Sequence, residues 1–538
     1  MKSSFNVLSH YVEGWRKISS LLTLNSEALH QFWLQVDDTV YRIHELLSNG
    51  SPLKIYNELL TGVLKRLLAL GDFTRAEAIA LALKETAGQQ GNKEALIKAN
   101  VILGYTHFNL SEIDEARDVF KQGLVLLEET LSDQILRIIF LSNLSMTVNS
   151  EESLEEALAC GHSALKILHT IKKPDFNALA ENIDKPSWDV QRSAVMSNLG
   201  TLYFEMARRL GEGKERDAHL RRASRFFTRS QSGDITFQDK LRSQANHALV
   251  LLLQGKTTAA DDAFARLKSQ CDGKPSLQRI ASWITGFQAE SALQQGNTEK
   301  ALELCHTSLR QAIQIADPVL ESQAICNAFG PLHSICDCIF GSNPDWEHFQ
   351  EKGMPLINEL LSFLEEKDWY TAKTHSQGVM RIASRLFEVI SNRISLDRIG
   401  SSLRKIQIAA LLHDIGKLRV PWTVLNRTTP LWERDFNLIK KHPAHGQQIL
   451  EAIGLGSLSK TVARHHERPD GLGYPEGGNI GGIADRILAV ADGYEAMTTY
   501  TRIYRKPLSK SDAVKEIKNL AGLQFDRFVS TALSEAVD

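Results

Sequence analysis

Hydrophobic and small residues in the first two thirds of the chain recur with a helical period, and they recur in pairs. A small residue is followed twelve positions later by another, with a turn between: Gly104 and Ala116, Ser145 and Ala157, Ala248 and Ala260, Ala289 and Ala301. Leu64 to Ala76 is a looser copy. Gly200 opens a further one whose second helix, around Ala223 to Phe227, arrives late after the stretch RRLGEGKER, which reads as an insertion. Near neighbours among these starts are 40 or 41 residues apart, and a start at Phe329-Gly330 keeps the period but lacks its second half. The pattern predicts stacked antiparallel helix pairs. Small residues on the facing sides let two helices approach, and Gly71, Gly255 and Gly296 fall where the first helix must stop. Gly255-Lys256-Thr257 imitates the tail of a phosphate-binding loop, but Val250 stands where that motif needs its first glycine.

The last third has a different pattern. Ile406, Ala409, Ala410 and Leu411 precede His413 and predict a His-Asp pair at a buried helix end. Phe436, Ile439, Gly446 and Ile449 predict a helix around His442. Ile487, Leu488, Val490, Ala491 and Tyr494 predict a buried helix carrying Asp492. Gly471, Gly473, Gly477, Gly478, Gly481 and Gly482 mark a loop between them. The expected fold is all-α: a helical-hairpin solenoid over residues 1–340, a helical linker over 341–367, and a second helical domain over 368–538.

Bulk properties narrow the function. The 538 residues exceed one hydrophobic core, and a formal net charge of −2 argues against a nucleic-acid polymer as partner. No long apolar run predicts a membrane span, and the first residues lack a signal-peptide core, so the expected location is cytoplasmic. The six cysteines lie outside the last third and read as reduced thiols.

Candidate chemistry is concentrated near the C-terminus. Of seventeen histidines, six fall between His375 and His466, among carboxylates, in the runs HDIGKLRVP (His413–Pro421), KKHPAHGQQIL (Lys440–Leu450) and HHERPDGLGYP (His465–Pro475). Neutral imidazole and carboxylate suit borderline divalent metals, and a carboxylate can bridge two of them. Two ions a few ångströms apart can ready a hydroxide for in-line attack on a phosphodiester. Asp492, within an apolar helix, needs a partner because an unpaired buried carboxylate is costly. His445 shares a turn with His442 and reads as a non-ligand.

The helix-pair region, over about 53–340, resembles tetratricopeptide repeats with a longer period than the usual 34. That resemblance implies a protein partner or self-association through the repeats. The last third resembles the HD-GYP subgroup of HD phosphohydrolases. The motifs that carry this are His413–Pro421, His442–Gly446, His465–Pro475, Val490–Asp492 and Arg502–Leu508. The resemblance implies metal ligands at His375, His413, Asp414, His442, His465, His466 and Asp492, with Asp414 bridging two divalent ions. Iron or manganese leads the choice of metal, and zinc, nickel or cobalt is also compatible. It implies that Asp414 and Lys417 are catalytic, and that Lys417, Tyr474, Arg502 and Arg505 contact substrate. The implied reaction is hydrolysis of cyclic di-GMP to pGpG in bacterial signalling, with onward hydrolysis to GMP as its extension. Hydrolysis of 3'3'-cyclic GMP-AMP and a non-catalytic cyclic-dinucleotide sensor or adaptor are the alternatives.

The chain departs from the family pattern in places. Three residues separate Tyr370-Thr371 from His375 where the family has two. Thr371 replaces the glutamate of three-metal members, Glu495 an aspartate, Arg505 a common lysine and Arg527 a proline.

Overall fold

The computed structural model describes residues 26–48, 53–182, 186–315, 318–340, 354–369, 373–478, 480–499 and 506–537. Among these the regular elements are all helices, with one isolated bridge from Ala521 to Phe525. The fold is all-α. No described helix is long and apolar enough to cross a membrane.

The chain forms two compact units. The first contains Leu34–Asn297 and Gln314–Leu320, and the second contains Asn25–Trp33, Thr298–Ile313 and Glu321–Asp538. In chain order the helices of the first half are α1 (Ser26–Ser48), α2 (Leu53–Leu70), α3 (Phe73–Gln89), α4 (Lys93–Asn109), α5 (Ile113–Val125), α6 (Leu131–Leu144) and α7 (Glu151–Thr170). There follow α8 (Lys173–Asn182), α9 (Trp188–Arg209), α10 (Lys214–Ser230), α11 (Phe237–Leu253), α12 (Thr257–Cys271), α13 (Gln278–Gln294) and α14 (Thr298–Gln314).

In the first unit the small positions do what their spacing predicts. A Cβ on Gly104 of α4 would lie 2.3 Å from the ring of Phe120 on α5, and one on Gly200 of α9 would lie 2.6 Å from Phe227 on α10. Each glycine therefore admits an aromatic ring from its partner helix. Burying a ring such as Phe227 or Phe264 stabilises by about 2–3 kcal/mol relative to exposure. The turns carry Gly71, Gly255 and Gly296 at φ of 70°, 75° and 76°, a left-handed conformation that glycine adopts without strain. Ser111, at φ 60°, holds the same place between α4 and α5. The stretch around RRLGEGKER is not a long loop. Arg208 and Arg209 complete α9 and α10 starts at Lys214, so the extra length goes mostly into the two helices.

The second unit adds α15 (Pro318–Phe340), α16 (Met354–Lys367), α17 (Lys373–Ser391) and α18 (Leu403–Leu412), followed by a 3₁₀ turn, Ile415–Arg419. Next come α19 (Glu433–Ile439), α20 (His442–Ala452), α21 (Gly456–Ala463), α22 (Ile483–Thr498), α23 (Lys510–Asn519) and α24 (Arg527–Val537). The sequence pattern suggested one helix around His442, but the structure has two. Pro443 has no N–H to donate and sits in the first turn of α20, so the chain breaks at Lys440-Lys441 and restarts. That break places His442 at a helix start. Residues 341–353 of the expected linker lie outside the described residues, and 354–367 form α16.

Candidate metal centre

Three histidines reach the site by the same local device. Each directs Nδ1 at the carbonyl three residues earlier: His413 to Ala410 at 2.8 Å, His442 to Ile439 at 2.7 Å, and His465 to Val462 at 2.6 Å. A carbonyl only accepts, so each Nδ1 carries a proton, and in the neutral ring that a metal would bind each Nε2 presents a lone pair. The buried Nε2 of His413 has no hydrogen-bond partner. Those of His442 and His465 lie 3.2 Å apart. Two lone pairs at that distance repel, and a cation between them removes the conflict. The donor set therefore fits a metal.

The carboxylates complete it. Asp414, at the step from α18 to the 3₁₀ turn, has Oδ1 3.2 Å from His442 Nε2. Its Oδ2 lies 3.4 Å from His413 Nε2 and 4.0 Å from His375 Nε2. Asp492, from the buried helix α22, has Oδ1 3.1 Å from His375 Nε2 and 3.6 Å from His413 Nε2. At this site, among the described residues, ligand-capable atoms within 4.8 Å of one another form three groups: His442, His465 and His466; His375, His413 and Asp492; and His413, Asp414 and His465. Helix register on α17 brings His375 to the cluster despite the altered spacing upstream. Tyr370 and Thr371 lie outside the described residues.

Close backbone packing holds the parts in place. A Cβ on Gly416 would sit 1.8 Å from the carbonyl oxygen of His442, so only glycine lets the 3₁₀ turn rest against α20. On α17, Gly378 leaves room for the carboxylate of Glu495, which a Cβ would meet at 1.9 Å.

Electrostatics are divided across the site. Burial works against charge on His413, but Asp414 and Asp492 outweigh it and raise its pKa to about 10. A divalent cation answers the same two carboxylates. Burial would raise Asp414, yet Lys417 and His413 hold its carboxyl well below the usual range; His375 and His413 do the same for Asp492. On the other side, burial and then neighbouring imidazoles push His465 well down and His466 to about 3. His445 falls to about 4 through burial and then Arg419, and it belongs to none of the three groups.

Around this centre, Lys417 Nζ donates to Asp414 Oδ2 at 2.7 Å and stands 3.5 Å from Asp368 Oδ2. The ring of Tyr474 packs on His466 at 4.8 Å, with Lys440 Nζ 5.9 Å from its centroid. Sequence reasoning missed two contributors. Asp368 is buried beside Lys417, and only its place just ahead of Tyr370-Thr371 hinted at it. Glu467 is buried and accepts from the backbone N–H groups of Glu476, Gly477 and Gly478 at 2.5, 3.2 and 3.0 Å, pinning the glycine-rich loop. Its signal was its place inside the HHE run. Arg502 and Arg505 lie outside the described residues.

Comparison with known proteins agrees with this geometry. Residues 366–529 match the HD domain family. The cyclic di-GMP phosphodiesterase response regulator RpfG of Xanthomonas campestris is 30% identical over 213 residues, 36% of this chain and 56% of that protein. The cyclic di-GMP phosphodiesterase PA4108 of Pseudomonas aeruginosa is 35% identical over 187 residues, 34% of this chain and 43% of its own. A 3'3'-cGAMP-specific phosphodiesterase 3 of Vibrio cholerae is 38% identical over 170 residues, 30% of this chain and 34% of its own. The chain thus spans about half, or less, of each of these relatives.

Proposed function

Residues 366–529 being an HD domain, we propose that this unit is a divalent-metal phosphodiesterase that opens cyclic di-GMP to linear pGpG, and onward to GMP. One observation carries the reading: the two oxygens of Asp414 face two different donor sets, Oδ1 toward His442 and Oδ2 toward His413 and His375. A carboxylate so placed suits two ions side by side. His375, His413 and Asp492 would hold one, and His442, His465 and His466 the other. Two such ions supply Lewis acidity to a phosphodiester and a water of lowered pKa, and imidazole with carboxylate suits iron(II) or manganese, with zinc, nickel or cobalt compatible.

The chain's own residues supply the remainder. Lys417 neutralises Asp414 and is a buried cation beside the position a phosphate oxygen would take. Tyr474 offers a partly exposed ring, held over His466, on which a base can stack. Arg502 and Arg505 would grip phosphate or guanine through their planar forks. The helix-pair region would dock a protein partner or a second copy and regulate the site.

The relatives named as cyclic di-GMP phosphodiesterases support this substrate. The relative named for 3'3'-cGAMP supports a second reading with the same phosphodiester and a different base. Full-length protein, loaded anaerobically with iron(II) or manganese, is to be given each cyclic dinucleotide separately and its products resolved by chromatography. Release of pGpG from cyclic di-GMP is expected. Cleavage of cyclic GMP-AMP alone would favour the second reading. Tight binding without cleavage of either would leave a sensor and overturn the enzyme.

A further inference from the structure

Lys367, the last residue of α16, is fully buried, and its ammonium has two partners. Nζ donates to the carbonyl of Leu418 at 2.6 Å and lies 2.9 Å from Glu321 Oε2 on α15. Both charged side chains are only 2% exposed. Burying such a pair generally stabilises no better than apolar residues of the same volume. Stability therefore does not account for it, and what it holds is the informative part.

Leu418 directly follows Lys417, within the 3₁₀ turn that begins at Ile415. Asp368 directly follows Lys367 and stands 3.5 Å from the ammonium of Lys417, which in turn donates to Asp414. The junction is braced from a further side. Asn426 donates to the Lys367 carbonyl at 2.8 Å and accepts from the Trp369 N–H at 3.0 Å. Arg419, at the end of the 3₁₀ turn, lies over the ring of Phe329 on α15 at 5.9 Å. Two successive residues, Lys367 and Asp368, thus fix the metal-bearing turn through its backbone and through its lysine. Glu321 meets the ammonium outside hydrogen-bond geometry, so the attraction is electrostatic and not tied to one alignment. Glu321 and Phe329 both precede residue 366, where the match to the HD domain begins. The α15 half of the brace therefore lies outside the matched residues, and Lys367 lies just inside them.

We propose that Glu321 and Lys367 are positioning residues for the turn that carries Asp414 and Lys417, and that α15 is thereby a control element of the metal centre. The proposal rests on the functional reading above. A shift of α15 withdraws the charge that holds Lys367, loosens its hold on the Leu418 carbonyl, and lets Lys417 and Asp414 leave their places.

The test uses full-length protein loaded with manganese. Glu321→Gln keeps the side-chain shape and removes its charge. A chelator should strip metal from this variant about tenfold faster than from wild type, and kcat should fall about tenfold with KM within about twofold. The double variant Glu321→Leu with Lys367→Met replaces the pair by apolar groups of similar volume and should recover the thermal midpoint. It should not recover the slow stripping or the turnover, because the Leu418 carbonyl still lacks its donor. Wild-type stripping in the double variant would make the pair a packing element and overturn the proposal. Stripping is read without substrate. A wild type that holds metal but cuts no cyclic dinucleotide would sink the phosphodiesterase reading, and the stripping rates would still decide this one.

Discussion

Three glycines of the helix-pair unit and two around the candidate metal centre meet neighbours of different kinds. In the helix-pair unit, a Cβ on Gly104, Gly123 or Gly200 would strike an aromatic side chain, Phe120, Phe140 or Phe227. At the metal centre, a Cβ on Gly416 would strike the His442 carbonyl and the Gly446 nitrogen, and one on Gly473 would strike the backbone of His466 to Arg468. A ring can turn or shift by a few tenths of an ångström, whereas a backbone pinned by its own helix cannot. The first unit repeats one packing solution, so each copy tolerates adjustment. The second unit uses the backbone contacts at Gly416 and Gly473 to hold the metal-site segments, while Gly493 admits the ring of Phe525 as the first unit's glycines do.

Five substitutions, one of them read across pH, test that contrast and the packing around it. Asp414→Ala should remove both ions and lower turnover on the order of a thousandfold or more, while helical content and unfolding of the first unit stay as in wild type. Metal analysis beside circular dichroism reads both, and retained turnover would break the site assignment. Gly416→Ala should cost about 3 kcal/mol and lose metal as well, whereas Gly104→Ala should cost about 1–2 kcal/mol and leave metal content untouched. If the two variants lose metal alike, the contrast between the units fails.

A smaller effect concerns His306 on α14. Its Nδ1 lies 3.1 Å from Glu366 and its Nε2 2.8 Å from Glu359, both on α16, and its ring stacks on Phe363 at 3.6 Å. Burial lowers its pKa, but the two carboxylates outweigh burial and raise it to about 9. A raised histidine stabilises fully below its ordinary value of 6.5, and that contribution disappears as pH rises through about 9. The loss should be about 1–2 kcal/mol after solvent screening. His306→Gln should flatten the fall in thermal midpoint across that range, and an unchanged slope would contradict the pairing. The smallest effect is expected at Ser111, which holds the left-handed turn position that Gly71, Gly255 and Gly296 fill elsewhere. Ser111→Gly should stabilise by about 0.5 kcal/mol in denaturant unfolding.

Much of this was legible in the sequence because the signals are local. The twelve-residue offset from Gly104 to Ala116 and the glycine at Gly255 report a helix pair and its turn from neighbouring residues alone. The histidines at His413, His442 and His465 stood out by residue type, and the structure adds the shared bond to the carbonyl three residues earlier. The break before His442 was signalled by Pro443, but the apolar residues on either side masked it. Glu321 with Lys367, and Lys417 with Asp368, were not legible. Each joins distant segments, and a lone buried Lys or Glu looks like any exposed one until the chain is folded. Tyr474 was found from its motif, but its packing on His466 depends on the loop that Glu467 pins.

In the proposed site two ions would share Asp414. Manganese-loaded full-length protein should hold two ions per chain, and its electron paramagnetic resonance spectrum should show them magnetically coupled, as a bridging carboxylate requires. One ion per chain, or two with the spectrum of isolated manganese, would contradict the account.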